Sequence, residues 1–240
     1  MANRYWQEVL TIVVFGAFVI MGLSSLALAQ KDTALTAIDI LLNPGETMLK
    51  HAKEANTRLL ENYPEGFALG KTHHPHISVL QRYVRTNDLD KVYAAVQKVI
   101  AAENPVGMEL KATGYYFLPW KGLGLAGIVI KPTAALLRFQ QKLIDAIAPF
   151  SAAEGTAAAF VPKANGGEIN EPTVEYVNQF VPKYNGKNYN PHVTVGLGQE
   201  DFVKKMKAEP FPPFTFKIEG VSVYHLGNYG TAQKKLWPPQ

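Results

Sequence analysis

Pro75-His76-Ile77-Ser78-Val79 returns 116 residues later as Pro191-His192-Val193-Thr194-Val195. In both copies a proline, a histidine, a β-branched residue, a hydroxyl residue and a valine follow in that order. Each proline sits where a strand can begin without losing a ladder bond. Side chains alternate along a strand. That places His76 and Ser78 on one face, with Leu80 and Arg82 beyond them. It places His192 and Thr194 on one face, with Gly196 and Gly198 beyond. Ile77, Val79, Val193 and Val195 then point the other way, into apolar cover. Each copy sets an imidazole beside a hydroxyl on a stiff element, and the glycines of the second copy leave room for an approaching molecule.

Working outward, the order of elements around the two copies also repeats. Thr36–Leu42 reads as an apolar strand. Asn43-Pro44-Gly45-Glu46 predicts a helix start, with Asn43 as cap, Pro44 in the first turn and Glu46 reaching back; the helix runs to about Asn62. His76–Val84 is a strand. Leu89, Val92, Val96, Val99 and Ile100 follow at helical spacing behind an Asn87 cap. Strands are predicted near Gly107–Leu118 and Leu123–Ile130. A helix from Thr133 carries Leu136, Phe139, Leu143 and Ile147 on one face. Residues 151–190 are looser and polar, with a short helix from Pro172; they read equally as a loop over a site or as an ordinary surface excursion. His192–Leu197 is a strand, Glu200–Ala208 a helix, and Phe214–Ile218 and Val221–Leu226 two further strands. Strand, helix, strand, strand therefore follows His76 and again follows His192, which predicts two similar lobes facing each other.

The composition narrows the chemistry. Of 240 residues, 47% are apolar, 18% are charged and none is cysteine. A disulfide scaffold, a cysteine-held zinc or iron–sulfur site and a thiol nucleophile are excluded. The formal charge of +4 is too small for a protein that coats DNA, so no DNA partner is expected. At the N-terminus, residues 9–23 are almost wholly apolar, Arg4 precedes them, and Ala27-Leu28-Ala29 supplies small side chains where the run stops. Residues 1–29 read as a signal peptide cut after Ala29. The alternative is an uncleaved anchor, because the 21 residues from Val9 to Ala29 are long enough to span a bilayer. The expected location is periplasmic or secreted, with no stable membrane contact once the leader is gone, or membrane-anchored through residues 9–29.

Two imidazoles and two hydroxyls suit the breaking of a P–O bond. One group must take a proton from the nucleophile and another must give one to the leaving oxygen. Histidine titrates near neutrality, so a neutral and a protonated imidazole can coexist. Hydroxyls can donate to the phosphoryl oxygens as charge builds on them. With these motifs the chain resembles the 2H phosphoesterase superfamily, and within it the 2'-5' RNA ligase and cyclic phosphodiesterase branch. The resemblance covers roughly Thr36 to Leu236, and Val223-Tyr224-His225-Leu226-Gly227-Asn228-Tyr229-Gly230 looks like the family's final strand and turn.

The resemblance implies an α+β, bilobal, duplicated fold over residues 30–240, with two antiparallel sheets lining a central cleft and helices outside. It implies metal-independent, cofactor-free chemistry on 2',3'-cyclic phosphates or 2'-5' linked nucleotide or RNA ends. His76 and His192 would be the acid–base pair, and Ser78 and Thr194 would hold the phosphate. Which imidazole is acid and which is base does not follow from the motif. Arg82 reads either as a contact to a second phosphate or as a solvated strand-end charge. Tyr115 and Tyr116 are candidates to stack on a base, although alternation lets only one face the cleft. His73 and His74 beside His76 make a poor metal cluster, because neighbours on extended chain point apart. A monomer with a small nucleotide or RNA-end substrate is expected. The competing reading is a protein that binds a phosphorylated small molecule or nucleotide in the same cleft without turning it over.

Overall fold

The computed structural model describes residues 34–71, 73–163 and 166–239. The signal peptide expected at residues 1–29 lies outside the described residues. Strand β1 (Leu35–Pro44) is apolar at most positions and buried along nearly its whole length. A strand covered on both faces reads as such a run. It is flanked antiparallel by β2 (Ile77–Arg85) and β7 (Phe214–Leu226). The two-residue β5 (Ser151–Ala152) edges β2, and β8 (Ala232–Trp237) pairs with the end of β7. A second antiparallel set is made by β3 (Glu109–Trp120), β4 (Leu123–Lys131) and β6 (His192–Gln199). The α+β class and the antiparallel sheets follow the sequence reading.

The seam between the sheets differs from that reading. In place of two strands near Phe214–Ile218 and Val221–Leu226 there is one strand of 13 residues. Its first part, Phe214–Lys217, pairs with β3, and its second, Ile218–His225, pairs with β1. The ladder to β1 runs through Gly220, opposite Asn43, so the glycine does not break the strand. The strand that completes the second repeat is β8, which the sequence reading did not contain. The repeat therefore survives as β2–helix–β3–β4 and β6–helix–β7–β8. However, the repeats do not each build one sheet. The first histidine strand, β2, lies with β1, the second part of β7 and β8, whereas the second, β6, lies with β3 and β4.

Helix α1 (Glu46–Asn62) buries Met48, Ala52, Ala55, Asn56 and Leu59, a stripe at helical spacing. It starts from Gly45 without a side-chain cap. The expected Asn43 cap is not made, because the ladder to β7 holds Asn43 and Pro44 in the strand. The Asn43 side chain instead donates to Ser222 at 2.9 Å and accepts from His74 at 3.1 Å. Helix α2 (Leu89–Glu103) likewise starts from a 3-10 turn, Thr86–Asp88, and not from an Asn87 cap. Helix α3 (Ala134–Ile147) keeps its predicted face, and Thr133 caps it by accepting from the Leu136 N–H at 3.1 Å. Helix α4 (Glu171–Lys183), capped by Asn170, is longer than expected and packs on β2. Helix α5 (Glu200–Ala208) has its predicted bounds. Helix α1 packs on β6, and α5 on β3 and β4.

Leu59 of α1 is fully buried, and a Cβ added at Gly196 or Gly198 of β6 would lie 2.9 or 3.0 Å from its methyl groups. The glycines let the helix settle directly on the sheet. Leu59→Ala is expected to lower stability by about 2–5 kcal/mol, read as a fall in the denaturant midpoint at unchanged slope. A loss within about 0.5 kcal/mol would show that this contact does not hold the helix.

Candidate active site

Both histidines are set by the same local device. The Nδ1 of His76 lies 2.6 Å from the His74 carbonyl, and that of His192 lies 2.8 Å from the Asn190 carbonyl, each two residues back across a proline. A carbonyl only accepts, so Nδ1 carries the proton in both rings. The nitrogen left for chemistry is Nε2 in each case.

Both strands also contain a bulge at the same place. Leu41 pairs with Ser78 and Ile40 with Leu80, which leaves Val79 without a partner. Gly127 pairs with Thr194 and Ala126 with Gly196, which leaves Val195 without one. One extra residue reverses the alternation from that point on. Arg82, expected on the His76 face, pairs with Ile38 on the opposite face. Gln81 takes the place expected for Leu80 and stands beside Ser78. Gly196 and Gly198 likewise turn to α1 and not to the face of Thr194, so the room they leave is filled by Leu59.

The bulge at Val79 brings Gln81 opposite Asp39 of β1. Asp39 is fully buried. Its Oδ2 accepts from Ser78 Oγ at 2.5 Å and from Gln81 Nε2 at 3.0 Å, and lies 3.4 Å from His76 Nε2. Sequence reasoning found no acidic partner for the motif. The available signal was a single acid in the apolar run LTAIDILL. The Ser78 proton is committed to Asp39, and Ser78 Oγ also accepts from Gln81 at 3.2 Å. The two motif hydroxyls are therefore not equivalent.

On the other side, Thr194 Oγ1 lies 3.2 Å from Tyr116 Oη, and the Tyr116 ring meets the His192 ring edge-on at 4.7 Å between centroids. Tyr116 faces the site because β4 has Gly127 opposite it; a Cβ there would sit 2.1 Å from the tyrosine ring. Burial pushes the Tyr116 hydroxyl up to about 12, against the pull of the Thr194 bond, so it keeps its proton at neutral pH. Tyr115 points the other way, edge-on to Phe211 at 4.9 Å. Tyr189, buried, donates to the Ser78 carbonyl at 2.7 Å. Tyr176 of α4 is close enough to feel both Asp39 and Tyr116.

The two imidazoles are driven apart in pKa. Burial works to lower His76, but the hydrogen bond and charge of Asp39, with the His74 carbonyl, outweigh it and raise the pKa above the usual 6.5. Burial lowers His192, the Asn190 bond offsets part of this, and the charge of His76 lowers it further. The site therefore favours a proton on His76 and disfavours one on His192. Among the described residues, no group of three or more His, Cys, Asp or Glu side chains is placed to hold a metal ion.

Residues 51–230 match the 2'-5' RNA ligase superfamily. No curated protein matches the chain. Among solved structures, TT0787 of Thermus thermophilus is 15% identical with a TM-score of 0.50, covering 84% of this chain and 95% of that one. The likeness supports the shared fold. The MHV ns2 PDE domain is 10% identical at a TM-score of 0.48, covering 80% of this chain and 99% of that one. E. coli LigT is also 10% identical, at 0.39, covering 85% and 96%.

Replacing Asp39 by Asn removes the charge and leaves an amide beside His76. The His76 pKa is then expected to fall below 6.5, read from its imidazole proton shift in an NMR titration, while His192 moves less. An unchanged His76 titration would remove Asp39 from its control.

Proposed function

We propose that this chain, which belongs to the 2'-5' RNA ligase superfamily, is a phosphodiesterase that acts on 2',3'-cyclic phosphates or 2'-5' linked nucleotide or RNA ends. The observation that carries the reading is the pair of histidines on matched strands, each with Nδ1 held by a backbone carbonyl, the pKa of His76 raised by Asp39 at its Nε2 and that of His192 lowered by burial.

In this reading His192 Nε2 takes a proton from water as the water oxygen attacks phosphorus. The P–O bond to the leaving ribose oxygen breaks, and His76 Nε2 gives that oxygen its proton. Both imidazoles end in the opposite state and reset by exchange with solvent. Thr194, backed by Tyr116, donates to a phosphoryl oxygen as its charge grows. Ser78 reaches the phosphate only by releasing Asp39; in the resting site it holds that carboxylate against His76.

The pH dependence has a definite sign. His192 must be neutral, so the rate falls as pH drops through its lowered pKa. His76 must be protonated, so the rate falls as pH rises through its raised pKa. The plateau spans pH 6.5. His76→Ala and His192→Ala are each expected to reduce hydrolysis of 2',3'-cyclic nucleotides by about 100-fold or more with the fold intact, and turnover by the parent chain is expected to persist in EDTA. Full activity in both variants would refute the assignment.

We further propose that the chain is exported. The apolar run and the Ala27-Leu28-Ala29 site support cleavage there. N-terminal sequencing of the protein recovered from its host is expected to begin at Gln30; a start at Met1 or Ala2 on membrane-bound protein would favour the anchor instead.

A further inference from the structure

Two buried carboxamides make the same three bonds in different halves of the molecule. Asn56 of α1 donates from Nδ2 to the Val195 carbonyl at 2.8 Å and to the Phe67 carbonyl at 2.9 Å, and its Oδ1 accepts from the Leu69 N–H at 3.1 Å. Gln140 of α3 donates from Nε2 to the Val79 carbonyl at 3.1 Å and to the Tyr184 carbonyl at 3.4 Å, and its Oε1 accepts from the Gly186 N–H at 3.2 Å. Val195 and Val79 are the two bulge residues. The other two bonds grip the carbonyl of one loop residue and the N–H of the residue two further on. In both cases that loop leads into a histidine motif. Asn56 is 5% exposed and Gln140 1%.

A bulge leaves a carbonyl that its ladder cannot satisfy, and burying it unpaired costs about 1–3 kcal/mol. A surface bulge would give it to water. Here a helix side chain takes it, and the same amide holds a second piece of chain. The bonds also cross. Asn56 ties the bulge beside His192 to the loop before His76. Gln140 ties the bulge beside His76 to the loop before His192. Each imidazole is aimed by its strand and by its approach loop, so each amide acts on both.

We infer that Asn56 and Gln140 are positioning residues that fix the spacing and aim of His76 and His192 relative to each other. Their effect on rate rests on the phosphodiesterase reading above. Their effect on the imidazoles does not.

Asn56→Leu and Gln140→Met keep size and remove the donors without adding charge. In each folded variant the imidazole proton resonances of both His76 and His192 are expected to shift, although neither amide touches either ring. With 2',3'-cyclic nucleotide as substrate, kcat is expected to fall about 10–100-fold while KM changes by less than about three-fold, the pattern of misplaced reacting groups. Unmoved imidazole resonances in both folded variants would overturn the inference whatever the activity. If no cyclic nucleotide is turned over by the parent chain but the resonances shift, the phosphodiesterase reading fails and the positioning role stands. Should a variant not fold, the parent chain decides. Inorganic phosphate titrated into the parent chain is expected to shift the side-chain amide protons of Asn56 and Gln140 together, and a titration that moves only one of them, or neither, refutes the coupling.

Discussion

The Asp39 carboxylate occupies the middle of an apolar strand, and much of the first sheet is arranged to keep it there. Taking such a group out of water costs several kcal/mol unless donors replace the lost hydration. Ser78, Gln81 and His76 converge on a single oxygen, Oδ2, while Oδ1 has no hydrogen-bond partner. Gln81 can reach it only because the bulge at Val79 moves Gln81 to the side of Ser78; on a regular ladder Leu80 would stand there. The bulge, the motif hydroxyl and the imidazole state are thus one constraint expressed three ways. A charge held this firmly acts at close range in a weakly screened site, where it outweighs the burial that would otherwise keep His76 neutral.

Set against this, the second sheet shows what the scaffold does without the charge. Its backbone repeats the first: the proline, the Nδ1 bond to a carbonyl two residues back, the bulge one residue past the hydroxyl and the helix amide on the bulge carbonyl. The registers correspond pair by pair. Leu41 opposite Ser78 matches Gly127 opposite Thr194, and Asp39 opposite Gln81 matches Leu125 opposite Leu197. A polar pair on one side is replaced by an apolar pair on the other. His192 therefore keeps the depression that burial imposes. A nearly symmetric frame yields an unsymmetric pair of imidazoles, which is what the proposed acid and base duties require.

Much of this was legible in the chain. Five matched residues gave both histidine strands, and the spacing of Leu136, Phe139, Leu143 and Ile147 gave α3 and its start at Thr133. Other features were not, for identifiable reasons. A bulge is a property of two strands in register, so alternation read along one strand misplaces everything past it, as it did Arg82, Gly196 and Gly198. The continuity of β7 depends on its pairing first with β3 and then with β1. Asn56 and Gln140 look like ordinary helix residues until the strands beneath them are known. Asp39 was visible as the one acid in β1, but a strand identified by its hydropathy discounts the residue that breaks the pattern.

The crossed bonds bear on why the two repeats form one molecule. Each repeat contributes its histidine strand to one sheet and draws support from elements elsewhere. The bulge beside His76 is held by α3, and that beside His192 by α1. Tyr189, three residues before His192, holds the Ser78 carbonyl. Bulges bend a strand and sharpen its twist, and here both bends fall just past the motif, where they can turn the two histidine ends toward a common space. Neither repeat taken alone contains all the groups that fix its own imidazole. A site that needs two imidazoles in opposite states at a set distance gains from this interlock, because a displacement of either helix is felt at both rings and opposed by both sets of bonds.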